Sequence, residues 1–105
     1  MGLDIFWTEF ARNELKTIFD YYRAEANPKI ARRIVKKFVS STSKLRHFHE
    51  LGQIEVTLAH RPQQFRYLVR ENYKIIYWIN LEKSRIEVVD VFDTRQSPFK
   101  ISRNA

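Results

Sequence analysis

Cysteine is absent from this 105-residue sequence. That excludes a disulfide scaffold, a thiolate metal site and a cysteine nucleophile together. Glycine occurs twice and proline three times, too rarely for a collagen-like or low-complexity segment. No run approaches the roughly 18 consecutive apolar residues of a membrane span. The chain also enters a charged amphipathic segment directly, without the apolar stretch of a signal peptide. What is present is 44% hydrophobic and 14% aromatic residue content, enough to fill one core in a chain of this size. The expectation is one globular domain over residues 1–105, in the cytoplasm.

Acids are the next shortage. Nineteen Lys and Arg face twelve Asp and Glu, for a formal charge of +7. A small protein this basic usually meets something acidic. The distribution is uneven. Lys29, Arg32, Arg33, Lys36, Lys37, Lys44 and Arg46 fall in a stretch with no acid, as do Arg95, Lys100 and Arg103 near the end.

Residues 3–7 read as a short strand. Thr8 then offers an N-cap, and Glu9 suits the positive end of a helix dipole. Ala11, Leu15, Ile18, Phe19, Tyr22 and Ala26 form one apolar stripe of a helix over 9–26. Asn27-Pro28 ends it and starts a second helix, with Asn as cap and Pro where no N–H is needed. That helix runs to Leu45, burying Ala31, Ile34, Val35, Phe38 and Leu45. Its solvent side carries Lys29, Arg32, Arg33, Lys36 and Lys37 as a basic ridge. So short a link predicts an antiparallel helix hairpin.

Residues 47–53 read as a connector and 54–58 as a weak short strand. Arg61-Pro62 interrupts the chain. Segments 65–70, 73–79 and 85–92 then read as strands joined by hairpin-length turns. The architecture expected is α+β, in two layers: an N-terminal strand, the helix hairpin, and a three-stranded antiparallel meander.

A two-residue turn at Glu71-Asn72 pairs Arg70 with Tyr73, Val69 with Lys74, Tyr67 with Ile76, and Phe65 with Trp78. Paired residues share a face. Leu68, Ile75, Tyr77 and Ile79 then line one side, with Arg66 and Arg70 near its edge. Phe65, Tyr67, Val69, Lys74, Ile76 and Trp78 line the other. Both sides are apolar, and the helix hairpin covers only one. The second is either a docking surface or the place where the C-terminal segment folds back.

Several stretches resemble the RelE/ParE superfamily of bacterial toxins, the plasmid-stabilisation type. The most specific are Phe65 to Ile79 (FRYLVRENYKIIYWI) and Val88 to Pro98 (VVDVFDTRQSP). Trp7-Thr8, Asn27-Pro28-x-x-Ala31 and Phe48-x-x-x-Gly52 add weaker support, and the likeness covers nearly the whole chain. The resemblance implies the toxin of a type II toxin–antitoxin pair, neutralised by a small antitoxin in a hetero-oligomer. The implied target is DNA gyrase or mRNA on the ribosome.

Metal-free RNA cleavage needs a base, an acid and cations for the phosphorane charge. By resemblance to the mRNA-cleaving members, Lys74 stands at a cationic position after the strand-initiating Tyr73, and Arg95 at the C-terminal arginine. The lysine pair of those members falls instead on Phe65 and Tyr67, and no tyrosine follows Arg95. The tentative catalytic set is therefore Lys74, Arg95 and Tyr67, the last as proton donor or stacking platform. The plainer reading makes Lys74 a solvated strand lysine and pairs Arg95 with Asp90 or Asp93. This partial set favours a ParE-like action on gyrase, with a RelE-like endonuclease as the alternative. A non-toxic nucleic-acid-binding module is the third reading, since aromatics beside cations suit base stacking.

Target or nucleic-acid contact is expected from Arg66, Arg70, Lys29, Arg33, Lys36 and Lys37, and antitoxin contact from Phe65, Tyr67 and Trp78. His47, His49 and His60 lack the further ligands of a transition-metal site. No metal or other cofactor is expected.

Overall fold

The computed structural model describes residues 2–104, and of 102–104 the backbone alone. Strand β1 (Asp4–Trp7) leads into helix α1 (Glu9–Glu25), and α2 (Pro28–Ser43) follows. Both helix starts obey their caps. The Thr8 hydroxyl accepts from the Ala11 N–H at 3.2 Å, and the Asn27 side chain from that of Ile30 at 2.9 Å. Helix α1 ends a residue early, leaving Ala26 exposed rather than on the buried stripe. Helix α2 gives way to a 3-10 turn, Lys44–Arg46, which still buries Leu45.

The weak strand expected at 54–58 is corrected. Only β2 (Gln53–Ile54) is extended, and Val56–Leu58 is a 3-10 turn. Glu55 accounts for the change, because its carboxylate accepts from the backbone N–H of Thr57 and caps the turn. Strands β3 (Arg66–Arg70), β4 (Tyr73–Asn80) and β5 (Arg85–Asp93) complete one sheet of order β1-β5-β4-β3-β2. A final 3-10 segment covers Pro98–Asn104.

The meander has the expected register, with Arg70 opposite Tyr73, Val69 opposite Lys74 and Tyr67 opposite Ile76. At the tight turn Glu71 takes a left-handed conformation (φ 54°), unusual without glycine. Strand β1 lies parallel to β5 at one edge, with Asp4 opposite Arg85, and the helix hairpin carries the chain from there to β2 at the other edge.

The two faces divide as expected. Leu68, Tyr73, Ile75 and Tyr77 join Ala11, Ile18 and Phe38 in the core between helices and sheet. The other face holds Phe65, Ile76 and Phe92, with Tyr67, Trp78 and Val89 packed around them. This second face is not left open. Leu58 from the 3-10 turn and Ile101 from the C-terminal segment close over it, each at most 5% exposed. The chain folds back on itself over this face, the second of the two arrangements its apolar pattern allowed.

A bulge separates the halves of β5. Ile76 pairs with Asp90, but the next residue, Tyr77, pairs with Val88, so Val89 is extra. Inward alternation along β5 therefore changes phase, from Ile86 and Val88 to Val91. The bulge turns Asp90 onto the second face beside Ile76 and Trp78.

Tyr77 ties the sheet to the connector that follows α2. Its buried hydroxyl donates to the His49 carbonyl at 2.8 Å and accepts from the Gly52 N–H at 2.9 Å. Glycine is required at 52, since a Cβ there would lie 2.7 Å from the Tyr67 carbonyl oxygen. Among the described residues, no helix is long and apolar enough to cross a membrane.

Candidate functional site

Lys74 is not the solvated strand lysine of the plainer reading. Its ammonium donates to Glu55 at 2.9 Å and sits 4.2 Å from the centre of the Tyr67 ring. The Glu55 side chain is 1% exposed and that of Lys74 24%. The same carboxylate accepts from the Thr57 hydroxyl at 2.8 Å. Burial pushes the Glu55 carboxyl up, but hydrogen bonds from Lys74 and Thr57 more than offset it and hold the group below the usual carboxylate range. Tyr67 donates its own hydroxyl to Gln53. The three groups form a closed polar patch that fastens the Val56–Leu58 turn to β3 and β4.

Arg95 belongs to a different place. Its guanidinium makes two bonds to the Asp93 carboxylate, at 2.9 and 2.8 Å, so of the two partners considered Asp93 is the one found. That hydrogen bonding lowers the Asp93 carboxyl below its ordinary value and raises the arginine. The Arg95 side chain is 56% exposed. It borders a cleft of about 220 Å³ between α1 and the end of β5, with Glu14, Thr17, Tyr21, Tyr73 and Gln96. Burial, followed by the neighbouring Tyr22 hydroxyl, pushes the Tyr73 phenol up, so it stays protonated at neutral pH.

Side chains alternate along a strand. Tyr73 points to the helix side with Arg95, and Lys74, the next residue, points to the other. The tentative trio is thus divided. Lys74 and Tyr67 share the second face, and Arg95 lies with the helices. The cleft around Arg95 combines residues from α1, β4 and the end of β5, and sequence spacing had no means of joining them.

The remaining candidates lie in several separate places. Arg66 donates to the Gly52 carbonyl at 3.0 Å and approaches Glu50, and Arg70 donates to Ser41 and the Val69 carbonyl. Both therefore brace the sheet against neighbouring segments. On α2, Lys29, Arg32, Arg33, Lys36 and Lys37 are all exposed, and Lys37 pairs with Glu71 across the hairpin turn. Phe65 lies beneath Leu58 and Ile101, leaving Tyr67 and Trp78 half-buried at the rim. The histidines make separate contacts, His49 to the Arg46 carbonyl and His60 to Arg61. Among the described residues, no group of three or more His, Cys, Asp or Glu could hold a metal ion.

No curated protein matches this chain. A solved structure titled "Chromosomal ParDE TA system from P. aeruginosa" matches at 19% sequence identity and a TM-score of 0.70, over 88% of this chain and 96% of that one. At that identity the likeness speaks to the fold: N-terminal strand, helix pair, then antiparallel strands in one sheet. The family model described as "ParE toxin of type II toxin-antitoxin system, parDE" matches residues 5–98. With nearly the whole described fold inside that match, the chain belongs to the ParE toxin family of type II toxin–antitoxin systems.

Proposed function

We propose that this protein arrests growth in the cytoplasm by binding DNA gyrase, and that a cognate antitoxin neutralises it. The observation that carries the choice of target is the division of Lys74, Tyr67 and Arg95 between two faces of the sheet. A general base must reach the proton it removes, directly or through one water. Lys74 is held by the buried Glu55 carboxylate, and Arg95 is clamped by Asp93 and stays protonated. Neither is placed beside the other on a bound phosphodiester. A binding poison requires no such set.

Cell-free translation with the purified protein, reading message ends by primer extension, tests this reading. Intact message and normal protein yield are expected, with an mRNA-cleaving toxin as positive control. New message ends that appear only with ribosomes present would replace gyrase by the ribosome as target.

A further inference from the structure

Strand β1 has a neighbour on one side only, since the sheet order begins with it. Asp4 and Thr8 send their N–H groups to the Ser84 and Val88 carbonyls, so both face β5. The main-chain groups of Ile5 and Trp7 alternate with these and point outward, away from the sheet. Among the described residues no hydrogen bond reaches those two donors and two acceptors. Leu3 also points outward, but its N–H is taken by the Arg46 carbonyl at 2.9 Å. The open stretch is therefore Ile5 to Trp7.

Open edges are usually blunted by a charge, a proline or a bulge. Ile5-Phe6-Trp7 has none of these. Phe6 is 37% exposed, with the Arg85 guanidinium 3.9 Å from its ring centre. The flanking charges are matched, Asp4 with Arg46 and Arg85 with Glu87. A chain of formal charge +7 thus has one sheet edge that a like-charged copy can approach. The other edge differs, because β2 is two residues long and β3 behind it carries Arg66 and Arg70.

We infer that two copies of this chain pair through β1, antiparallel and centred on Phe6. Ile5 then faces the partner's Trp7, and Trp7 the partner's Ile5. Each of these pairs exchanges both N–H···O=C bonds, so every outward group is matched. Phe6 meets its own copy at the two-fold axis as the closely spaced pair without hydrogen bonds, each ring backed by its own Arg85. Centring on Ile5 instead would set Trp7 against Leu3, whose N–H is already taken, and would leave the Trp7 carbonyl unmatched. The contact uses the same surface on both copies and so closes at two.

Sedimentation equilibrium of the full-length protein tests this. A strand pair this short is a small interface, so a dissociation constant on the order of 0.1 mM is expected. Added salt should tighten it, by screening the charge that the two copies share. Phe6→Lys sets like charges opposite one another. At an exposed position it keeps the fold, and it should weaken the dimer at least about tenfold. The chain has no cysteine, so single cysteines report the register. The close pair has Cα atoms about 4.5 Å apart, within disulfide reach. With oxidised glutathione, Phe6→Cys should cross-link at least about tenfold faster than Asp4→Cys, whose counterpart across the axis is Thr8. A protein that stays monomeric to about 1 mM overturns the proposal and leaves the edge to a strand of another protein. Equal cross-linking of the two cysteine variants, or a Phe6→Lys dimer as tight as wild type, also overturns it. Neither readout involves gyrase or growth arrest.

Discussion

Replacing Lys74 by methionine keeps the aliphatic stem beside Tyr67 but removes the charge that faces Glu55. The Glu55 side chain is 1% exposed and keeps only its two bonds from Thr57. Removing one partner of a fully buried pair costs about 3–5 kcal/mol. Here Lys74 is a quarter exposed and Thr57 still solvates the carboxylate, so a destabilisation of about 2 kcal/mol is expected at neutral pH. Urea unfolding gives the value directly.

The pH dependence supplies a second constraint on the same variant. The folded carboxyl of Glu55 lies below its ordinary value of 4.5, so its stabilising contribution is present above that value. It is lost as pH falls through the folded value. The gap between wild type and Lys74→Met should therefore close in acid, where both carry a protonated Glu55. Glu55→Gln should cost less, about 1 kcal/mol, because the stranded lysine can reach water. A Lys74→Met variant within about 0.5 kcal/mol of wild type, or one whose deficit is unchanged in acid, would refute the reasoning.

The other predictions concern single contacts. Tyr77→Phe removes one donor and one acceptor from a buried site and should cost about 1–3 kcal/mol by thermal or urea unfolding, with a similar far-UV spectrum. Arg95→Ala breaks an exposed pair, screened by solvent, and should leave the unfolding midpoint close to that of wild type. Its growth arrest should nevertheless fall if the cleft beside α1 meets the target, which colony counts after induction will show. Trp78→Ala removes an aromatic from the second-face cluster and should destabilise the fold by about 2 kcal/mol. In complex with the antitoxin, isothermal titration should show a further loss above about 1 kcal/mol if the exposed rim of Trp78 is contacted.

Some elements were legible because local rules act alone on them. Thr8 and Asn27-Pro28 marked both helix starts, and two residues between strands left one register for β3 and β4. That register assigned Leu68, Ile75 and Tyr77 to one side and Phe65, Tyr67 and Ile76 to the other. The closure of the second side was harder to read. Leu58 and Ile101 sit in short mixed stretches, Val56-Thr57-Leu58-Ala59 and Phe99-Lys100-Ile101, that are too brief to show a period, and their burial depends on a sheet formed elsewhere.

The bulge at Val89 was hidden for a related reason. In the run Val88-Val89-Asp90-Val91, several phases of alternation look equally apolar, and only pairing with β4 selects one. Nothing in the sequence marked Glu55, because Lys74, the residue that makes its burial tolerable, is far along the chain. Of the candidate catalytic residues, Tyr67 and Lys74 lie on β3 and β4, and Arg95 lies two residues beyond the end of β5. Their separation became visible only once the side of the sheet taken by Arg95 was known.

The most direct test of the central claim is a gyrase assay with the purified protein on relaxed plasmid DNA, resolved with and without detergent and protease. Loss of supercoiling, with linear DNA released from trapped gyrase complexes, is the predicted result. Undiminished supercoiling in the presence of a preparation that still arrests growth would contradict gyrase as the target.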